Sequence, residues 1–78
     1  MQDAVKVIHT HGGSFLIEGE AVTWASYMAV DEDGDVWIYV FRPQMMESCW
    51  IDLANGRCQY IGTYTGDLSR WKEVLRDV

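Results

Sequence analysis

Tyr27-Met28-Ala29-Val30-Asp31-Glu32-Asp33-Gly34-Asp35-Val36-Trp37-Ile38-Tyr39-Val40 is the stretch that decides how this chain folds. Two apolar, strand-forming runs flank a block of acids that holds an Asp-Gly pair. Asp-Gly supplies the positive φ angles of a two-residue hairpin turn, so the stretch predicts two antiparallel strands. With Asp33-Gly34 as the turn, Glu32 faces Asp35, Val30 faces Trp37, Met28 faces Tyr39 and Ser26 faces Phe41, all on one side. Tyr27, Ala29 and Asp31 then share the other side with Val36, Ile38 and Val40.

Outward from this hairpin, Gly12-Gly13, Gly19-Glu20 and Asn55-Gly56 offer further two-residue turns between segments of high strand propensity. They predict strands at about 4–11, 14–18, 21–32, 35–42, 48–54 and 57–64, an antiparallel meander of five to six strands over residues 1–64. Pro43-Gln44-Met45-Met46-Glu47 is the one longer connection. After Tyr64 the period changes: Leu68, Trp71, Leu75 and Val78 recur at three and four, with Asp67 placed to cap the first turn. A C-terminal helix over 67–78, packed on the sheet, completes an α+β single domain spanning 1–78. A small SH3-like barrel plus helix is the alternative.

Extending the register through Gly19-Glu20 adds Phe15, Ile17, Val22 and Trp24 to the Met28, Trp37, Tyr39 and Phe41 side, and Leu16 and Ala25 to the other. Both sides are then apolar, and a sheet of that kind must be covered twice or closed. One helix covers part of one side, so Tyr27, Val36, Ile38 and Val40 are expected as an exposed apolar face for a partner or a second copy.

The chain has 78 residues, with twelve Asp plus Glu against six Lys plus Arg, and a formal charge of −6. At 49% hydrophobic residues it can build a core, and its length allows no second one. Residues 67–78 hold three acids and three bases, so the whole excess belongs to residues 1–66. No Lys or Arg occurs between Lys6 and Arg42, an interval that carries Glu18, Glu20, Asp31, Glu32, Asp33 and Asp35. Such a field repels nucleic acid and anionic membranes and attracts basic proteins. Those six acids are therefore the expected partner contacts, concentrated at a projecting hairpin tip. Trp50, on a hairpin face with Asp52, Arg57 and Gln59, is the expected exposed anchor.

Reactive motifs are sparse. His9-Thr10-His11 presents two imidazoles on alternate strand positions, but a zinc site needs further ligands that no spacing supplies. Asp31-Glu32-Asp33-Gly34-Asp35 begins like a calcium loop, yet its glycine falls at the fourth position and no glutamate closes it. No serine or cysteine stands in the setting of an activated nucleophile, and no glycine pattern resembles a phosphate loop. No enzyme activity, metal or cofactor is expected. An Asn55-Gly56 hairpin would pair Leu53 with Cys58 and set Cys49 four residues further along. The two cysteines are thus expected as separate, reduced, largely buried thiols in a cytoplasmic protein. The amino terminus lacks the basic and apolar regions of a signal peptide, and the chain reads as a complete small gene product.

In size, acidity and simple architecture the chain resembles the small inhibitors that phages and mobile elements direct against host defence, notably anti-CRISPR proteins. The resemblance implies a non-enzymatic inhibitor in the cytoplasm of a bacterial host. Its acids would occupy a basic nucleic-acid-binding groove of a CRISPR surveillance complex or nuclease. A structural or regulatory homodimer, joined through the apolar sheet face, is the other expectation.

Overall fold

The tip of the acidic hairpin sets the register of everything that packs around it. In the computed structural model, which describes residues 5–78, Asp31 N–H donates to the Asp35 carbonyl and Gly34 N–H to the Asp31 carbonyl, both at 2.9 Å. The closing pair is therefore Asp31 and Asp35, and the turn holds Glu32, Asp33 and Gly34. Gly34 takes φ +97°, the left-handed residue that ends a three-residue hairpin loop. Asp33 Oδ1 accepts from Asp35 N–H at 3.0 Å and stiffens it.

In chain order the elements are β1 (Val5–Thr10), β2 (Gly13–Glu18), α1 (Ala21–Trp24), β3 (Tyr27–Val30), β4 (Asp35–Tyr39), β5 (Gln44–Met45), β6 (Trp50–Ile51), β7 (Cys58–Thr63), a 3-10 segment at Leu68–Glu73, and β8 (Leu75–Asp77). The central antiparallel sheet runs β7-β4-β3-β8, flanked by the β1–β2 and β5–β6 hairpins. This is a small β-rich domain, and it corrects the expectation of a meander carrying one long helix. The ladders among the described residues form three separate sheets rather than a closed barrel.

The longer turn slips β3 against β4 by one residue: Val30 pairs with Val36, Ala29 with Trp37, Met28 with Ile38 and Tyr27 with Tyr39. Because side chains alternate, that slip redistributes both faces. Met28, Val30, Val36 and Ile38 now share one face and are 0% exposed, under Ile8, Phe15 and Ile17 of the first hairpin, Ala21 of α1 and Tyr64. Tyr27, Ala29, Trp37 and Tyr39 share the other, against Trp50 and Trp71. Both faces are covered, by different segments. Extents of 42 × 28 × 16 Å give the molecule the thickness of about two packed layers.

Three further expectations change. The first turn is His11-Gly12, not Gly12-Gly13, since Thr10 pairs with Gly13. The first expected strand began at residue 4, which lies outside the described residues. Gly19-Glu20 opens no hairpin: Thr23 N–H donates to Glu20 O and Ala25 N–H to Ala21 O, both at 2.9 Å. The resulting helical turn carries the chain from one layer to the other and replaces the start of the expected 21–32 strand. Asn55-Gly56 is a loop, because the Asp52 carboxylate accepts from Ala54 N–H at 2.8 Å and Gly56 N–H at 2.7 Å. Freed of that hairpin, β7 pairs with β4, from Tyr39–Cys58 to Asp35–Thr63, with a bulge between Val36 and Trp37.

The carboxyl-terminal segment starts as expected, with Asp67 Oδ1 accepting from Ser69 N–H at 2.9 Å. The 3-10 segment is interrupted at Arg70 and stops after Glu73. Beyond it, Val30 N–H donates to Val74 O at 3.3 Å and Val78 N–H to Ser26 O at 3.0 Å. A lone β3 edge would leave these backbone groups without protein partners, and completing the sheet outweighs the helical period. Trp71 still turns inward, 5% exposed.

Tyr64 fastens the layers together. Its N–H donates to Gly34 O at 2.8 Å, while Thr65 donates to Gly12 O from both N–H (2.8 Å) and Oγ1 (2.9 Å). Its ring lies so close to Gly12 that an added Cβ there would stand 2.4 Å from Tyr64 Cε1.

Candidate functional site

The acidic tip is held against the molecule instead of projecting from it. Asp31, half-buried, accepts from Trp50 N–H at 2.9 Å through Oδ1, and Glu32 N–H donates to Ser48 O at 3.1 Å. Burial raises the Asp31 carboxyl above its ordinary 3.8; the Trp50 bond pulls it down, and the Asp33 and Asp35 charges push it up. Glu32 and Asp33 stay exposed at the turn. Trp50 is no exposed anchor: it is 9% exposed, with Nε1–H donating to Val30 O at 2.9 Å. Its indole belongs to the buried cluster of Ala29, Tyr39 and Trp71.

Behind the tip lies a cleft of about 410 Å³ where β4, β6 and the 52–58 segment meet. Asp31, Asp35 and Asp52 supply carboxylates, Trp37, Tyr39 and Trp50 supply aromatic walls, and no Lys or Arg among the described residues lines it. Tyr39 is 4% exposed and its hydroxyl donates to Trp50 O at 3.5 Å. Burial, with the Asp31 charge adding, pushes that hydroxyl well above the ordinary tyrosine value, so it stays a neutral donor. Cys49 and Cys58 also border the cleft, and both are free. Cys49 is half-buried and Cys58 exposed, which corrects the expectation of largely buried thiols.

Glu18 and Glu20 stand apart from this group. They border a smaller depression of about 350 Å³ with Trp24, Arg57 and Gln59, and Cys58 belongs to its rim as well. Glu20 is paired with Arg57 at 2.8 Å, and the Arg57 guanidinium lies 5.9 Å from the Trp24 ring centroid. Both partners are open to water, so the pair adds little stability, but it neutralises one of the expected contacts.

The expected apolar docking face does not exist as a surface. Val36 and Ile38 are fully buried, Tyr27 and Val40 are half-buried, and Tyr27 lies on the side opposite Val36 and Ile38. Exposed apolar side chains lie elsewhere: Phe41 (49%), Met45 (50%), Met46 (44%), Ile51 (39%) and Leu53 (70%) all fall within 41–53. Phe41 rests against Gly56, and Ile51 and Gly56 both line the cleft, so this arm adjoins the three carboxylates. Val5, Val7 and Leu16 form a smaller exposed group on the outer side of the first hairpin, where Val7 pairs with Leu16.

Asp35 and Asp31 are thus brought together, Glu18 and Glu20 are separated from them, and Asp52, Trp37 and Tyr39 join a site that the sequence pattern did not reveal. The spacing of Asp52 ahead of Ala54 and Gly56 is the one local signal, a side-chain turn that excludes a hairpin there. His9 Nδ1 lies 2.9 Å from Ser14 Oγ, while His11 occupies the turn. Among the described residues no three His, Cys, Asp or Glu side chains are grouped to hold a metal ion. No helix among them is long and apolar enough to cross a membrane. Compared with known proteins, the chain matches no family model, no curated protein and no solved structure.

Proposed function

We propose that this is a non-enzymatic acidic binding protein that captures a basic protein surface. In the reading that best fits its size and charge, the surface is a nucleic-acid-binding groove of a bacterial defence complex, and the protein acts there as an anti-CRISPR-type inhibitor. The observation that carries the proposal is the cleft: three carboxylates, aromatic walls and no basic residue, opening beside an exposed apolar arm. A charge of −6 favours encounter with a groove built to hold phosphates. The test is target-DNA binding by purified CRISPR surveillance complexes and nucleases, followed by fluorescence anisotropy with the protein added. Displacement of DNA that weakens as salt rises is the expected result. Unaltered DNA affinity across representative complexes at micromolar protein rejects the defence-complex reading.

A homodimer is the second reading, favoured by Val5, Val7 and Leu16 on the outer side of the first hairpin. Light scattering after size exclusion decides it: a monomer at tens of micromolar removes it.

A further inference from the structure

We infer that the 41–53 arm and the adjoining acidic cleft form one docking surface for a basic amphipathic segment of a partner protein, with an arginine side chain seated in the cleft. The inference rests on the acidic-capture reading and names the chemistry of what is captured. Five large apolar side chains are exposed within thirteen residues of chain, and of these Ile51 lines the cleft while Phe41 rests against Gly56 at its edge. Met45 and Met46 add unbranched, adaptable side chains suited to varied apolar partners.

Charge selects the occupant. Neither salt bridge between side chains of the described residues involves Asp31, Asp35 or Asp52. Asp31 and Asp52 accept backbone N–H groups, and the Asp35 carboxylate accepts no hydrogen bond from a described residue. A second copy would bring a second acidic cleft and a further net charge of −6, and an anionic membrane would be repelled in the same way. A partner segment with apolar residues on one side and cations on the other satisfies both halves of the surface. Arginine fits the cleft better than lysine, because its planar guanidinium can lie on an aromatic wall while donating to a carboxylate.

Calorimetry with three synthetic peptides tests this: an amphipathic leucine–arginine helix former, its leucine–lysine counterpart, and a scrambled leucine–arginine peptide of equal charge. The ordered arginine peptide should bind at least threefold more tightly than the lysine one and tenfold more tightly than the scrambled one. Amide shifts should centre on Phe41, Met46, Ile51 and Trp37. Asp35→Asn should weaken binding most at low salt, and Leu53→Ser with Met46→Ser should weaken it at any salt. Unchanged amide spectra and melting temperatures of these variants exclude misfolding. Equal binding of the scrambled peptide, with shifts around Glu18 and Glu20, overturns the docking surface and leaves acidic capture standing. No binding of any peptide at millimolar concentration overturns the docking surface, while DNA displacement tests the wider reading separately. Self-association mapped to the arm would assign the surface to a second copy and also overturn the inference.

Discussion

Asp31 serves two opposed demands: its oxygen is needed by Trp50 N–H, and its charge is held half-buried beside Asp33 and Asp35. Its carboxyl is raised in the folded state, so its neutral form suits the fold and its ionisation opposes it. Below the ordinary 3.8 it is neutral in both folded and unfolded chains and costs nothing; the cost grows as pH rises through its raised folded value. Asp31→Asn keeps the acceptor and removes the charge. It should be at least as stable as the parent in urea titrations at pH 7, with the difference fading toward pH 3.8. Asp31→Ala leaves the Trp50 N–H without its acceptor and should lose about 1–3 kcal/mol in the same titrations. Gly12→Ala, whose new methyl would overlap the Tyr64 ring, should cost about 1–3 kcal/mol, read as a lowered melting temperature. At this scale the sequence is readable where the cause is local. Asp67 caps the turn that follows it, as its position implied, whereas the burial of Trp50 depends on Val30 O, twenty residues away.

Among elements, turn length decided more than turn composition. Asp-Gly suits a two-residue turn and also a three-residue turn ending in a left-handed glycine, since both need a positive φ at Gly34. The strands on either side were legible in their alternation and propensity, but their pairing was not. Moving Val30 from Trp37 to Val36 carried Val36 and Ile38 from an expected exposed face into the core beside Met28 and Val30. The C-terminal stripe was misread for a related reason. Leu68, Trp71, Leu75 and Val78 are all at least half-buried, as a helical stripe would be, but Leu75 meets Ala29 across a ladder. Deleting Leu75–Val78 should remove that ladder and the Val78–Ser26 bond. A loss of about 3 kcal/mol or more in urea titrations is expected, with the bared β3 edge promoting association visible by light scattering.

For the whole molecule, the acidity noted in the sequence resolves into separate sets: Glu18 and Glu20 beside Arg57, and three aspartates around the cleft. With an isoelectric point near 4.5, the protein should be least soluble around that pH and clear again on either side, measured by turbidity. Asp31→Asn should shift the turbidity maximum upward slightly without changing its height.

The bonds from Thr65 to the Gly12 carbonyl have a consequence in time. The first hairpin is synthesised before the residues that fasten its turn, which lie fifty-three positions later. Closure of so long a loop comes after local pairing, so the hairpin waits, apolar side uncovered, until Tyr64 and Thr65 have been made. The interval between making the hairpin and fastening its turn is when the chain is most exposed to misassociation.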